Sequence, residues 1–197
     1  MEVKRYSVSL KLQIFLGLIF AICNLGLNLL NQVKPDFSIP LYLDTLFTVS
    51  ASFFGLVSGL ICAVLYHLAC TFVNHYELVT LVWTICNLSV VVIIRLYILK
   101  RHEIYILDII LLIFLTALVI SIEGAIIFTV LNVITEYKED SQIRFMYSLL
   151  SSNSVPVFIS ALLPRVPVNI LDKGICLSLG YLCYLGINRI LKALKKV

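Results

Sequence analysis

Charged side chains are scarce in this chain. Asp, Glu, Lys and Arg make up 13% of its 197 residues, whereas 61% of the residues are hydrophobic. The interior of a soluble domain of this size cannot hide so much apolar surface, so the composition excludes a water-soluble globular protein. The net charge is only +4, and the basic residues cluster at the chain ends and in one short loop. This distribution is typical of membrane topology rather than of a nucleic-acid partner.

Catalytic and metal-binding motifs are also missing. The sequence contains no HExxH, GxSxG or Walker motif, and its acids and histidines do not cluster at metal-ligand spacing. The six cysteines all lie within apolar stretches and form no CxxC pair, which favours small buried side chains over disulfides or metal ligands. We therefore expect no enzymatic activity, no metal and no cofactor.

The chain instead carries apolar segments long enough to cross a bilayer, which requires about 20 residues of helix. They predict an all-α integral membrane protein, a single polytopic domain over residues 1–197 built as a six-transmembrane-helix bundle. The second segment is short, and the fifth is long enough to be tilted. The predicted spans cover residues 10–32, 39–55, 57–74, 78–99, 104–132 and 167–191.

The distribution of basic residues predicts the orientation. With six spans, nine lysines and arginines fall on one side, and the acidic residues Glu77, Glu136, Glu139 and Asp140 fall on the other with fewer basic residues. By the positive-inside rule, both termini are then cytoplasmic. The basic residues that share the predicted cytoplasmic side are Lys4, Arg5, Lys11, Lys100, Arg101, Arg189, Lys192, Lys195 and Lys196.

One further apolar segment, 147–163, precedes the last predicted span. It is interrupted by the run Ser-Ser-Asn-Ser at 151–154 and by Pro156. A seventh span here would place the basic C-terminus outside, against the positive-inside rule. We therefore expect an interfacial or re-entrant helix on the outer face.

Polar side chains within apolar helices are the informative residues, because burying them in hydrocarbon is costly unless they are paired or hydrated. In the first predicted span, Asn24, Asn28 and Asn31 share one face at spacings of four and three residues. Such a stripe suits the wall of a hydrated substrate pocket. It equally suits hydrogen bonds between helices, and the sequence leaves both interpretations open.

Three ionisable residues are further candidates for a substrate site. Asp44 opens the second span, where free N–H groups and the helix dipole stabilise a carboxylate; it has either this structural role or faces an outward vestibule. His67 in the third span is a packing residue or a ligand contact. Glu123 lies inside the fifth span, so it either serves the site or pairs with a residue such as Arg95.

Trp83 and Asn87 lie one helical turn apart in the fourth predicted span, and Trp83 is the only tryptophan. A ring and an amide at this spacing are typical of a site for a heterocyclic ligand, in which the protein ring stacks on the face of the ligand and the amide hydrogen-bonds its edge. The alternative places Trp83 in an interfacial aromatic belt. Tyr76 and Glu77, in the preceding connection, lie at the same predicted level and complete the candidate site.

Two stretches resemble a known family. Residues 39–68, IPLYLDTLFTVSASFFGLVSGLICAVLYHL, resemble the passage from the second to the third helix of S components, the substrate-capture subunits of energy-coupling factor (ECF) transporters. Residues 166–192, VPVNILDKGICLSLGYLCYLGINRILK, are similar to the last helix of that family, which often opens with a hydrophobic stretch and Asp-Lys. In length and number of spans the resemblance covers the whole chain.

The resemblance implies a protein of the bacterial cytoplasmic membrane that binds a vitamin-like small molecule near the outer surface. It implies delivery of this ligand to a transmembrane coupling subunit with attached ATPases. Members of the family present an Ala-xxx-Ala pattern of the first helix to that subunit, and here Gly17 and Ala21 match it in size. They are the expected docking residues.

Two other functions remain open at this point. A stand-alone membrane sensor or receptor of similar architecture has the same features, and co-purification with a coupling subunit and ATPases would distinguish it from a transporter subunit. A membrane enzyme acting on lipids is disfavoured because the chain lacks clusters of acids and histidines.

Overall fold

The computed structural model describes residues 8–32, 41–73, 79–101, 103–135 and 141–194, and in these ranges the chain forms helices and no strand. The helices are α1 (Leu10–Gln32), α2 (Leu46–Phe54), α3 (Leu56–Val73), α4 (Val79–Val82), α5 (Thr84–Leu99), α6 (Ile106–Thr135), α7 (Ser141–Ser152) and α8 (Val157–Leu194).

Five stretches of the described chain are long and apolar enough to cross a membrane: α1, α3, α4 with α5, α6 and α8. Large apolar side chains such as Phe15, Ile22 and Phe114 point outward from these helices, as lipid-facing residues do. The chain is therefore a multi-pass, all-α membrane protein.

The structure differs from the sequence prediction at the second span, 39–55, which is not one of the five stretches. Within it the helix α2 has nine residues, which at 1.5 Å per residue cover about 14 Å, or about half of the hydrocarbon core. The predicted count of six spans is therefore not confirmed. The residues ahead of the helix, 41–45, form a non-helical segment that we call the entry segment.

Helices α2 and α3 form a tight antiparallel hairpin around Gly55. Side chains bond across it, with Thr48 Oγ1 3.5 Å from Cys62 Sγ and Ser58 Oγ donating to the carbonyl of Ala51. The close approach requires a small residue at position 59, because a Cβ there would lie 2.7 Å from both Ser52 Oγ and a methyl carbon of Val91. The hairpin therefore packs directly against α5.

Pairings between the helices give the directions of the spans: α3 runs parallel to α1, because the short α2 reverses the chain between them, and from α3 onward successive spans alternate. Asn28 bonds Tyr66 across the parallel pair α1 and α3, whereas Asn169 bonds Ser121 across the antiparallel pair α6 and α8. The start of α1 and the end of α8 consequently lie at the same end of the bundle, where Leu16 packs near Leu191. We call this the terminal end. Its described basic residues are Lys11, Lys100, Arg101, Arg189 and Lys192.

The last helix differs most from the sequence prediction. Helix α8 has 38 residues, about 57 Å at 1.5 Å per residue, and it contains the predicted span 167–191. It begins at Val157, because the chain turns at residues 153–156, where Ser154 has a φ of 61°. The helix then continues through Pro164 and Pro167, so it begins ten residues before the predicted span 167–191.

The predicted interfacial or re-entrant helix at 147–163 is not confirmed as one element. Its first residues belong to α7, and its last residues form the first turns of α8. Helix α7 packs onto the bundle through the Tyr147 ring, 5.0 Å from the ring of Phe128, while Phe145 is 74% exposed on its other face. The segment is thus a helical hairpin at the end opposite the termini.

A matched pair of glycines in α8 tests this packing. A Cβ at Gly180 would lie 2.8 Å from the carbonyl oxygen of Leu46, whereas a Cβ at Gly186 would meet no atom within 4 Å. We expect Gly180→Ala to lower the free energy of unfolding by about 1–3 kcal/mol, because a backbone carbonyl must move. Gly186→Ala should leave stability unchanged or slightly higher. Thermal unfolding in detergent compares them, and equal midpoints would contradict the α2–α8 contact.

Candidate functional site

A cavity of about 320 Å³ lies within the bundle at the end opposite the termini. It is lined by α1, the entry segment, α3, α4 with α5, α6 and the N-terminal half of α8. Its size falls at the lower end of the range of about 300–1,000 Å³ that is usual for small-molecule sites. We call it the central cavity.

The central cavity brings together half of the residues that the sequence predicted. They come from four different parts of the chain, so only the tertiary fold makes them neighbours. The predicted residues that line it are Asn28, Asp44, His67, Trp83 and Asn87.

Asn24 is not part of the cavity wall. It is fully buried, its Nδ2 donates to Thr48 Oγ1 at 2.9 Å, and its Oδ1 accepts the backbone N–H of Phe47 at 3.0 Å. Both contacts join α1 to α2. Of the two interpretations that the sequence left open, the structural one therefore holds for this asparagine.

Three predicted site residues cannot be placed. Tyr76 and Glu77 lie outside the described residues, and so does the side chain of Asn31, although its backbone belongs to α1.

Glu123 also lies outside the wall, although the next residue, Gly124, lines the cavity. Its Oε1 accepts a hydrogen bond from Ser89 Oγ at 2.6 Å, while Oε2 is buried without a partner in the described part of the chain. The structure thus pairs Glu123 with α5 through Ser89, not with Arg95, which donates to the Ser52 carbonyl instead.

The predicted docking residues, Gly17 and Ala21, face the inside of the bundle. A Cβ at Gly17 would lie 2.9 Å from the carbonyl oxygen of Ser58, and Ala21 is buried. In this structure the small residues serve the close packing of α1 on α3, which does not fit a docking surface for a second protein.

The most strongly buried charges of the site are not among the residues that the sequence predicted. Lys173 of α8 is buried, and its ammonium lies 2.7 Å from Asp172 Oδ2, 3.2 Å from Asp44 Oδ1 and 3.0 Å from Thr45 Oγ1. We call these four residues the charge cluster. It joins α8 to the N-terminal side of α2 and forms one wall of the central cavity.

Asp172 also fixes the backbone of the entry segment. Its Oδ1 accepts the N–H of Leu43 at 2.8 Å, and Leu43 has a φ of 52°. A left-handed conformation at a non-glycine residue costs about 1–3 kcal/mol and persists only where the surroundings impose it. The buried aspartate therefore holds Leu43 in this conformation and, with it, the position of the neighbouring Asp44.

A polar pair from α3 and α5 forms another part of the wall. Asn87 Nδ2 and His67 Nε2 are 2.9 Å apart, whereas Asn87 Oδ1 is buried without a partner among the described residues. His67 Nδ1 likewise has no partner of standard geometry there, although the Thr80 backbone approaches the ring. Unpaired buried polar atoms are costly, so these atoms are suited to bonding a polar ligand.

Arg165 and Asn169 of α8 complete the wall, and the sequence analysis missed both. The Arg165 guanidinium lies 5.3 Å from the centre of the Phe128 ring and donates to the carbonyl of Ala161 at 2.8 Å. Gly124 leaves room for it, since a Cβ there would lie 3.2 Å from Arg165 Nε and 3.6 Å from the Trp83 ring.

A signal for the missed residues is present in the sequence. Arg165, Asp172 and Lys173 are charged residues within or beside an apolar segment, and such residues are functional candidates by default. The Asp-Lys pair served only to support the family resemblance. Hydrophobic periodicity could not show that Lys173 contacts Asp44, because these two residues are 129 positions apart in the sequence.

Comparison of the chain with protein-family models, with curated proteins and with solved structures finds no match. The function is therefore argued from the chemistry of the central cavity.

Removal of the buried aspartate tests the charge cluster. We expect Asp172→Ala to lower the free energy of unfolding by about 3–5 kcal/mol, because it leaves the Lys173 ammonium undercompensated in the interior. The control is Glu103→Ala, which removes an exposed carboxylate bonded to Tyr105 and should cost no more than about 1 kcal/mol. Thermal unfolding of both variants in detergent provides the comparison. A similar midpoint for both would show that the cluster does not hold the fold together.

Proposed function

We propose that this chain is a membrane-embedded substrate-binding subunit. It captures a vitamin-like small molecule from outside a bacterial cell and delivers it to a transmembrane coupling subunit with ATPases, as the S component of an ECF-type importer. The observation that carries the proposal is the central cavity, whose wall combines aromatic rings, amides and charged groups.

The lining suits a small heterocyclic ligand. Trp83, Tyr42 and Tyr66 offer ring faces for stacking, and Asn87 offers a buried amide oxygen without a partner in the described chain. A ring held between such groups gains contact area from the aromatic side chains and specificity from the amide. The amount of polar lining is far greater than lipid acyl chains would require.

Aromatic rings pack together beneath the cavity, which supports capture rather than conduction. On the side toward the terminal end, Phe20 lies 6.0 Å from Phe54 between ring centres, and Tyr184 lies 4.9 Å from Phe54 and 5.4 Å from Phe53. Within the described residues, these packed rings lie between the central cavity and the terminal end. A bound molecule would have to displace these rings to reach the opposite side of the membrane. In the proposed importer, the partner subunits drive this rearrangement.

The orientation follows from charge. The central cavity lies at the end opposite the terminal end, and the terminal end carries Lys11, Lys100 and Arg189. Under the positive-inside rule the terminal end is cytoplasmic, so the cavity faces outward, where a captured solute arrives.

Two substitutions in the wall test the proposal. We expect Trp83→Ala and Asn87→Ala each to weaken binding of the molecule retained by the gently extracted wild-type protein by about tenfold or more, because each removes a contact worth roughly 1–3 kcal/mol. Retention at equilibrium is measured by mass spectrometry of the small molecules released on denaturation.

The matched control is Phe114→Ala, which removes an aromatic ring from the lipid-facing side of α6. It should leave retention unchanged. Circular dichroism checks that each variant is folded. If the wild-type protein and all three folded variants retain the molecule equally, the binding site lies elsewhere and the assignment of the cavity is refuted.

A further inference from the structure

The charges of the central cavity are not equally available to a ligand. Among the described residues, three charged side chains line it: Asp44, Arg165 and Lys173. An ammonium has three N–H donors, and those of Lys173 are matched by three oxygen acceptors, on Asp172, Asp44 and Thr45. Lys173 therefore holds the residues of the wall together through these hydrogen bonds and has no N–H donor left for a ligand.

Asp44 is the accessible member of the charge cluster. Its side chain is 30% exposed, against 3% for Lys173 and 0% for Asp172. Lys173 engages Oδ1, and no contact within the described residues engages Oδ2. Two carboxylates face one ammonium, so the cluster carries a net negative charge, and Asp44 presents it to the cavity.

The second cation, Arg165, lies in a different part of the wall. Its guanidinium packs over the Phe128 ring and bonds the Ala161 carbonyl. Both contacts join it to α6 and to its own helix, away from the entry segment that carries Asp44. It does not neutralise the carboxylate by direct pairing.

Aromatic rings accompany Asp44 in the wall. Tyr42 lies two residues earlier in the entry segment, and Tyr66 is held by a hydrogen bond of 2.9 Å from Asn28 Nδ2 to its hydroxyl. A carboxylate among aromatic faces is the usual protein environment for a positively charged nitrogen group, which gains both ion pairing and cation–π attraction.

We propose that the ligand of the central cavity carries a positively charged nitrogen group on or beside its ring, and that Asp44 binds this group. The proposal rests on the proposed function, and it names the class of substrate, a small cationic heterocycle or ring-bearing amine. Lys173 fixes the Asp44 carboxylate in place, and Asp172 fixes the entry segment that presents it.

Trp83 makes the charge preference measurable without knowledge of the natural ligand. It is the only tryptophan of the chain and lines the cavity, so its fluorescence reports which solutes enter. Three pyridine probes of similar size differ in charge: the 1-methylnicotinamide cation, neutral nicotinamide and the nicotinate anion. Their quenching is measured on the full chain in nanodiscs of zwitterionic lipid at constant ionic strength, and normalised to quenching of N-acetyltryptophanamide.

We expect the cation to quench Trp83 at about tenfold lower concentration than the neutral probe, as a charge-assisted contact predicts, with the anion weakest. In Asp44→Asn, the cation should need the same concentration as the neutral probe to quench Trp83. The concentration that the neutral probe needs should not change. Asp44→Glu should retain part of the preference. The ranking of the three probes on the wild-type protein does not depend on whether the variants fold.

Two other results separate the inference from the proposed function. Equal quenching by all probes, or strongest quenching by nicotinate, would overturn the cationic ligand and leave a cavity that admits ring-sized solutes. No quenching of Trp83 by any probe would show that the cavity is closed to such solutes, and would overturn both the inference and the proposed function.

Discussion

A lysine ammonium enclosed within an apolar bundle constrains the rest of this structure. An isolated charge there would be far too costly, so Lys173 must be surrounded by oxygen acceptors. Asp172 comes from the same helix, but Asp44 and Thr45 come from the segment ahead of α2. This requirement ties α8 to α2 and sets where the entry segment lies. Hydrophobic burial alone has little ability to fix such a position between helices in lipid, since lipid is as apolar as the side chains.

The central cavity follows from that attachment. With the entry segment held by the charge cluster, α2 has only nine residues, and the space ahead of its first turn is lined by the entry segment and by residues of α1, α3, α4 with α5, α6 and α8. Below this space the rings of Phe20, Phe53 and Phe54 pack on the side of the terminal end. The result is a polar chamber above packed aromatic rings, and the proposed capture of a solute depends on this arrangement.

The sequence was sufficient for the coarse architecture and for part of the wall. Apolar runs predicted the membrane helices because burial of backbone in lipid permits little else, and three of the polar residues singled out within those runs, Asn28, His67 and Asn87, line the central cavity. Periodicity could not separate Asn24, which bonds α2, from Asn28, one turn later, because the distinction depends on what the facing helix offers. Nor could it show the short α2 or the long α8, since both depend on contacts between segments that are distant in the sequence.

If the proposed function holds, the chamber binds one small polar molecule. Native mass spectrometry of the full chain, released gently from nanodiscs prepared directly from the producing cells, detects such a molecule. We expect a population heavier than the bare chain by the mass of a single small molecule, bound one to one and lost on denaturation. A spectrum that contains only the bare chain and its lipid adducts, under conditions that keep the chain folded, would contradict it.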